Sequence, residues 1–122
     1  MQTNTTNASE NREKGIFEKI VDREIPANIV LENDEFMAFY DIAPKAPVHV
    51  LIIPKKWVKD FNGINAEIMG KMSEFILQVV DKLGVKESGY RLITNIGKDG
   101  GQEVPHLHFH LLAKRKLDGN FG

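Results

Sequence analysis

Three of the four histidines in this chain alternate with apolar residues in the segment His106-Leu107-His108-Phe109-His110-Leu111-Leu112. Successive side chains of a β-strand point to opposite faces, so a strand would place His106, His108 and His110 on one face. Neighbours on that face would stand about 6.6 Å apart along the strand. A helix would scatter the same residues around its circumference. The pattern therefore predicts a strand over residues 107–113 that carries a row of imidazoles.

Three interpretations of this row are open from the residues alone. It could be a solvated strand face, a metal site, or a site for nucleophilic and acid–base chemistry at phosphorus. A metal would need further ligands. The chain has no cysteine, and no Asp or Glu lies in the row or in the five residues after it. We therefore predict that the histidines bind no metal and that the protein uses no cofactor.

The segment just before the row favours chemistry at phosphorus. Residues 95–105 read Asn-Ile-Gly-Lys-Asp-Gly-Gly-Gln-Glu-Val-Pro. Glycines allow positive φ and close approach of the backbone to a ligand, so the N–H groups of such a loop can form an anion nest. Asp-Gly-Gly is also an ordinary turn. Followed at once by three one-sided histidines, it predicts a phosphate held in front of an imidazole.

The pattern His-x-His-x-His-x-x, with x apolar, resembles the signature of the histidine triad (HIT) family of nucleotide hydrolases and transferases. Residues 39–49, 51–55, 89–91 and 95–102 are also similar to that family. Together they resemble the branch of histidine triad nucleotide-binding proteins that act as purine nucleoside phosphoramidases, over residues 16–115. The resemblance implies the HIT fold, with its sheet continued across a homodimer.

Apolar periodicity predicts the elements of an α+β domain. A short helix is predicted over 16–22 and one long helix over 66–83. Strands are predicted over 28–32, 35–41, 48–53, 90–96 and 107–113. About five mostly antiparallel strands with one long and one short helix imply an α+β architecture. The long helix has a wider apolar stripe than one small sheet needs, and the strand after Gly89 would otherwise be an edge, so we predict a homodimer.

Length and charge limit the domain organisation and the partners. At 122 residues the chain is one domain, which we place at 15–117, between a polar leader at 1–14 predicted to be disordered and a short tail at 118–122. A net charge of −1 gives no general attraction to nucleic acid or membranes. No apolar run approaches the ~18 residues of a membrane span. We predict a cytoplasmic protein with no nucleic-acid or membrane partner.

The resemblance implies roles for a set of residues. Catalytic roles fall to His108, His110, His106 and His49, and nucleotide binding to Asp41, Ile42, Asn95, Gly101, Gln102, Glu103, His108 and His110. His108 is the implied nucleophile, since a neutral imidazole can attack directly. His110 and the backbone N–H groups of residues 101–103 would hold the phosphate oxygens. His106 would orient its neighbours through backbone carbonyls, and His49, which alone would suggest a core histidine, supports the row.

The nucleoside would lie beside these residues. The Asp41 carboxylate suits two ribose hydroxyls, although from the residues alone it could equally be a turn residue. Ile42, Phe17 and Ile20 would form the base slot. Asn95 could bind nucleotide or only brace its loop, and Trp57 is predicted to be a surface or dimer-contact aromatic.

Two departures from the phosphoramidase pattern concern the leaving group. Relatives of that type often carry Ser where this chain has Glu103, and a carboxylate repels a phosphate. The C-terminal end also lacks the Trp-Pro-Pro of the animal enzymes, which helps to set specificity. The natural leaving group is therefore open.

Three functions follow. The first is hydrolysis of nucleoside phosphoramidates, of the adenosine 5′-monophosphoramidate type, to a nucleoside monophosphate through a covalent nucleotidyl-histidine intermediate. The alternatives are a dinucleoside polyphosphate hydrolase and a nucleotide-binding regulatory module with little catalysis. One transferase branch carries Gln as the third triad residue, so His110 argues against it. The expected partner is a purine nucleotide such as AMP or GMP.

Overall fold

The computed structural model describes residues 12–119, which form one five-stranded antiparallel sheet with a helix on each face. In chain order the elements are α1 Ile16–Val21, β1 Ile29–Glu32, β2 Phe36–Tyr40, β3 Val48–Pro54, a 3₁₀ helix Phe61–Gly63, α2 Ala66–Leu83, β4 Tyr90–Ile93 and β5 Phe109–Ala113. The strand order is β1-β2-β3-β5-β4. The predicted α+β fold with one long and one short helix is therefore confirmed.

The long helix α2 covers one face of the sheet. Its bounds match the prediction because local signals define both ends: the Asn65 side chain accepts a hydrogen bond from the Ile68 N–H at 2.9 Å, and Gly84 takes the left-handed conformation with φ 67°. The buried residues on this side are Phe36, Ala38, Val50, Ile52, Met72, Phe75, Ile76, Val79, Val80, Leu107 and Leu111. Within residues 12–119, neither helix is long and apolar enough to cross a membrane.

The short helix α1 packs on the opposite face. Its buried residues Phe17 and Ile20 contact a second apolar cluster on the sheet, formed by Met37, Phe39, Leu51 and Ile53. The Phe17 and Phe39 rings meet edge to face with centroids 5.5 Å apart. Because α1 is only six residues long, it covers part of this face and leaves room beside it.

The strand register carries a histidine to the α1 face. Phe39 of β2 is directly opposite Leu51 of β3, and Leu51 is directly opposite His110 of β5. Directly opposed residues in an antiparallel sheet point to the same face, so His110 lies in the same row as the apolar residues under α1. His49, two residues before Leu51, shares this face.

The predicted triad strand begins two residues later than expected. β5 starts at Phe109, so His106 and His108 lie in the segment before it and do not form an evenly spaced strand row with His110. The cause is a set of hydrogen bonds outside the sheet: the Leu107 N–H donates to the Val58 carbonyl at 2.7 Å, and the Thr94 hydroxyl donates to the His108 carbonyl at 2.8 Å. β4 is also shorter than predicted and ends at Ile93, the last residue that pairs with β5.

The ends of the domain make more contacts than predicted. Arg12, assigned to the leader, forms two hydrogen bonds to the Glu18 carboxylate, at 2.7 and 3.0 Å. Lys14 pairs with Asp22 at 2.6 Å. These contacts of residues 12–14 were not predicted, and the rest of the leader, 1–11, and the end of the tail, 120–122, lie outside the described residues. The domain bounds themselves stay a prediction.

The edge strand β4 supports a proposed homodimer. It lies at the end of the sheet, where its outer backbone groups face away from β5. Leu92 on β4 is 40% exposed, and Leu77 on α2 is 56% exposed. We expect two chains to pair along this edge, because a paired edge buries unpaired backbone groups and apolar side chains together.

The measurement is sedimentation equilibrium at micromolar concentration, which should give about twice the 13.8 kDa of one chain. A single species of one-chain mass across that range would contradict the dimer.

Candidate active site

His108 is buried, and its partner determines which ring nitrogen carries the proton. Nδ1 lies 2.7 Å from the backbone carbonyl of His106. A carbonyl can only accept a hydrogen bond, so Nδ1 is protonated, and the neutral ring keeps its lone pair on Nε2. This contact is the one predicted for His106, whose backbone orients its neighbour. A neutral imidazole fixed in this way is a nucleophile or a base at Nε2.

His110 is oriented by a chain of hydrogen bonds that begins at the backbone of Lys45. The Lys45 N–H donates to Nδ1 of His49 at 3.1 Å, so a neutral His49 carries its proton on Nε2. That Nε2–H donates to Nδ1 of His110 at 2.9 Å. His110 must then carry its own proton on Nε2. The pair therefore offers an acceptor at His108 and a donor at His110, with ring centroids 5.0 Å apart.

Burial favours the neutral form of His49, His106 and His110. Burial, reinforced by His108 and His49, lowers the pKa of His110 to about 4. Burial also lowers the pKa of His49, although the Asp41 carboxylate opposes the shift. The pKa of His106 is lowered by burial as well, against a smaller opposing effect of its bond to the Pro54 carbonyl. At neutral pH the hydrogen-bond directions described above therefore hold for His49, His106 and His110.

His106 has a structural place in the site. Its Nε2 donates to the Pro54 carbonyl at 2.8 Å, and its ring meets the edge of Phe17 with centroids 5.7 Å apart. The ring is buried and lies outside the lining of the pocket described next. His106 thus anchors the segment before β5 to the end of β3, and its carbonyl accepts the Nδ1–H of His108.

A pocket of about 680 Å³ opens in front of His108 and His110. This volume is typical of sites for ligands of nucleotide size. Its apolar walls come mainly from α1, the segment after it and the adjoining sheet face: Ile16, Phe17, Ile20, Ile25, Pro26, Ala27, Phe39, Leu51 and Val104. Its polar lining comes from Asp41, Lys45, Asn95, Glu103, His108 and His110. The pocket suits a ligand with a flat apolar part and an anionic part.

Asp41 and Ile42 flank this pocket after β2. One Asp41 carboxylate oxygen accepts a hydrogen bond from the Ala43 N–H at 2.8 Å, so Asp41 does act as a turn residue. The other carboxylate oxygen lies 3.5 Å from Nε2 of His49. Asp41 still lines the pocket, which leaves ribose binding as a proposal. Ile42 is 97% exposed, so it lies at the rim, whereas the predicted partners Phe17 and Ile20 form buried wall.

The glycine loop is shaped by its own hydrogen bonds. Gly97 and Gly101 have φ of 68° and 79°, a region that favours glycine. A Cβ on Gly100 would lie 2.3 Å from the Ile96 carbonyl oxygen, so only glycine fits there. The Asn95 side chain donates to the Gly100 carbonyl at 2.8 Å and therefore braces the loop while also lining the pocket.

Two of the backbone N–H groups predicted to bind phosphate donate hydrogen bonds within this loop instead. The Gly101 N–H donates to the Lys98 carbonyl at 3.1 Å, and the Gln102 N–H donates to the Gly97 carbonyl at 3.0 Å. The Gln102 side chain faces the loop as well, accepting from the Gly97 N–H at 2.9 Å and donating to the Lys59 carbonyl at 2.8 Å. In this conformation the Gly101 and Gln102 N–H groups are therefore not free to hold phosphate. The Glu103 N–H has no acceptor among residues 12–119 and stays a candidate.

The structure also brings an acidic residue to the histidines. Potential ligand atoms of Asp41, His49 and His110 lie within 4.8 Å of one another, a spacing that could hold a metal ion. The sequence argument against a metal considered only neighbours along the chain, so it missed Asp41. The two imidazole nitrogens in question already share a hydrogen bond, which a metal would have to replace.

Other contributors were not predicted. Phe39, Leu51 and Val104 line the pocket, and alternation along β2 and β3 could have placed the first two on the α1 face. Trp57 was predicted to be a surface or dimer-contact aromatic. Its indole N–H donates to the Pro105 carbonyl at 2.7 Å, next to His106, and the Arg12 guanidinium lies 3.8 Å above its ring. Trp57 and Pro105 are 48 residues apart, so no local sequence pattern could have predicted this hydrogen bond.

Comparison with known proteins gives a consistent result. The family model described as HIT domain matches residues 22–117. An uncharacterized HIT-like protein of Helicobacter pylori is 58% identical over 101 residues, which make up 83% of this chain and 97% of that protein. The purine nucleoside phosphoramidase of Escherichia coli K12 is 45% identical over 108 residues, covering 86% of this chain and 91% of that protein.

A solved structure agrees with the sequence comparisons. The HIT family hydrolase from Clostridium thermocellum has a TM-score of 0.84 and 43% identity, covering 89% of this chain and 97% of that one. The chain therefore belongs to the HIT domain family, with hydrolases among the relatives that it matches.

Proposed function

We propose that this HIT-family hydrolase cleaves the P–N bond of purine nucleoside phosphoramidates and releases the nucleoside monophosphate. The observation that carries the proposal is the pairing of two imidazoles at the pocket whose hydrogen bonds leave them opposite hydrogen-bonding capacities. His108 has an unprotonated Nε2 and His110 a protonated one. A phosphoryl centre between them would meet a nucleophile and a hydrogen-bond donor together.

The proposed reaction has two steps. Nε2 of His108 attacks phosphorus, forming an N–P bond as the bond to the amine breaks; the amine nitrogen keeps the bonding electron pair and takes a proton from solvent. Water then attacks phosphorus, forming a P–O bond as the P–N bond to His108 breaks; the water proton passes to solvent, the bonding pair returns to Nε2, and the nucleoside monophosphate is released. The Nε2–H of His110 would donate to a phosphoryl oxygen as negative charge builds on it. Neutral His110 suits this role, because its pKa of about 4 keeps it uncharged at pH 7.

Three features support a nucleotide as the substrate. The apolar walls at Phe17, Phe39 and Leu51 suit a purine ring, and the Asp41 carboxylate in the lining suits the ribose hydroxyls. The matched relative from Escherichia coli is named a purine nucleoside phosphoramidase. The Glu103 N–H and the His110 ring are the proposed phosphate donors.

The test is steady-state hydrolysis of adenosine 5′-phosphoramidate at pH 7, with release of AMP followed by chromatography. Titration of AMP by calorimetry is run in parallel. Turnover together with binding supports the proposal. Binding of AMP without detectable turnover would favour the regulatory binding module, and turnover confined to diadenosine polyphosphates would favour the polyphosphate hydrolase.

We expect this hydrolysis to survive metal removal. His49 and His110 are bonded to each other, and the proposed charge stabilisation comes from N–H donors, so no step needs a Lewis acid. The measurement is kcat before and after exhaustive EDTA dialysis, with zinc and magnesium add-back as the control. Loss of activity that zinc restores would assign Asp41, His49 and His110 to a catalytic metal site instead.

A further inference from the structure

A second cavity of about 170 Å³ lies beside His110. It shares Asp41, Lys45, Asn95, Glu103 and His110 with the main pocket, so the two spaces are neighbours with a common polar boundary. His49, Ile93 and Leu112 line it as well, whereas His108 does not. A cavity of this size holds a few non-hydrogen atoms, at roughly 30 Å³ for each water-sized group.

Its position matches the path of a leaving group. Displacement at phosphorus places the attacking and departing atoms roughly in line on opposite sides. In the proposed reaction His108 attacks from the main pocket, where the nucleoside also lies. The second cavity touches His110 but not His108, so an amine leaving beside His110 would find space there without displacing the nucleophile.

The charges of this cavity favour a cation. Glu103 is exposed at its boundary, and its carboxylate forms no ion pair with another residue in the range 12–119. Asp41 adds a second carboxylate, while Lys45 is the single ammonium group in the lining. Burial lowers the pKa of His49 and of His110, so neither ring adds positive charge at pH 7. The lining is therefore negative by one charge.

A carboxylate at position 103 is unfavourable for a phosphate alone. The repulsion is offset when the substrate carries a positive group close to Glu103, because opposite charges a few ångströms apart attract. Resting on the proposed function, we infer that the second cavity is the subsite of the departing amine and that Glu103 makes it select amines bearing a second, positively charged ammonium group.

The experiment compares two matched substrates, the adenosine 5′-phosphoramidates of ethylenediamine and of n-propylamine. They have the same number of non-hydrogen atoms in the leaving group, and only the first carries an ammonium group at neutral pH. The measured quantity is the ratio of their kcat/KM values. Comparing this ratio between proteins removes the difference in intrinsic reactivity.

In Glu103→Gln and in Glu103→Ser the ratio should fall about three- to fivefold, the usual effect of one partly exposed ion pair. The preference of the unmodified protein should also weaken as salt is raised from about 0.05 to 0.5 M, because salt screens exposed charges. Glu87→Gln is the matched control, since Glu87 is exposed and lines neither cavity, and its ratio should stay unchanged.

The outcomes separate this inference from the proposed function. If the propylamide is hydrolysed and the ratio does not change in either Glu103 variant, the subsite assignment is wrong while the proposed function stands. An equal fall in Glu87→Gln would mean that overall charge, not the cavity, sets the preference. If the unmodified protein hydrolyses neither substrate nor adenosine 5′-phosphoramidate, the proposed function fails and the subsite with it.

Discussion

Replacing His108 by alanine should remove turnover by several powers of ten while leaving nucleotide binding nearly intact. The covalent route disappears with the Nε2 lone pair, and no other ring in the site is oriented in the same way. Binding should survive because Phe39, Leu51 and the Asp41 carboxylate line the pocket beside that imidazole. Phe17 meets the His108 ring edge to face at 5.2 Å, and it keeps its second contact, with Phe39, in the variant. The measurements are single-turnover hydrolysis and calorimetric titration with AMP.

His108 is buried, so the variant is accompanied by His108→Asn, which keeps a polar side chain in the cavity. Thermal unfolding of both variants checks that the fold is retained. Near-normal turnover in either folded variant, with loss of turnover in His106→Ala or His49→Ala, would move the nucleophile away from His108.

Replacing His110 by alanine should lower kcat by about 10²–10³, the usual effect of removing one preorganised donor at an oxyanion. The loss is smaller than for His108 because the nucleophile remains. The variant also leaves the His49 Nε2–H without its partner, so part of the effect comes through His49. KM should change less than kcat, since the donor acts most strongly on charge that develops during the reaction.

His110→Gln is the conservative comparison, because a glutamine amide can restore an N–H donor near the phosphoryl oxygen. We expect it to retain more of kcat than the alanine variant. Equal activities of the alanine variant and the unmodified protein would show that His110 does not stabilise the reaction.

Local patterns were sufficient for the elements whose ends are defined by their own residues. The Asn65 side chain caps the start of α2, and Gly84, in the left-handed conformation, ends it. Both residue types are recognisable in the sequence. Asn33 likewise caps the turn between β1 and β2 by accepting the Glu35 and Phe36 N–H groups at 2.8 Å. Where the deciding hydrogen bond is local, the boundary could be predicted.

Bounds decided by distant partners could not be predicted. β5 begins at Phe109 because Leu107 bonds to Val58 and Thr94 bonds to the His108 carbonyl, and neither partner follows from the pattern of the row. The alternation rule still placed Leu107 and Leu111 on the α2 face correctly. It also held for the face of the histidines, since the rings of His106 and His108 both meet Phe17 of α1 and His110 lies beside His108. Only the start of the strand was wrong.

The same distinction holds in the site. Residue types identified the histidines, Asp41 and the glycine loop, but not which atoms meet. The contact between Asp41 and His49 depends on the turn after β2. The backbone N–H groups of Gly101 and Gln102 donate to carbonyls within their own loop. Backbone donors can be assigned to a ligand only after their internal acceptors are known.

The account depends most on a covalent bond between phosphorus and His108, which rapid-quench mass spectrometry can detect. The protein is mixed with adenosine 5′-phosphoramidate, quenched within milliseconds, digested and mapped. We predict a peptide containing His108 that has gained the mass of an adenylyl group and that loses it at the rate of AMP release. Turnover without any modified histidine, or with the adenylyl group on His49, His106 or His110, would contradict the account.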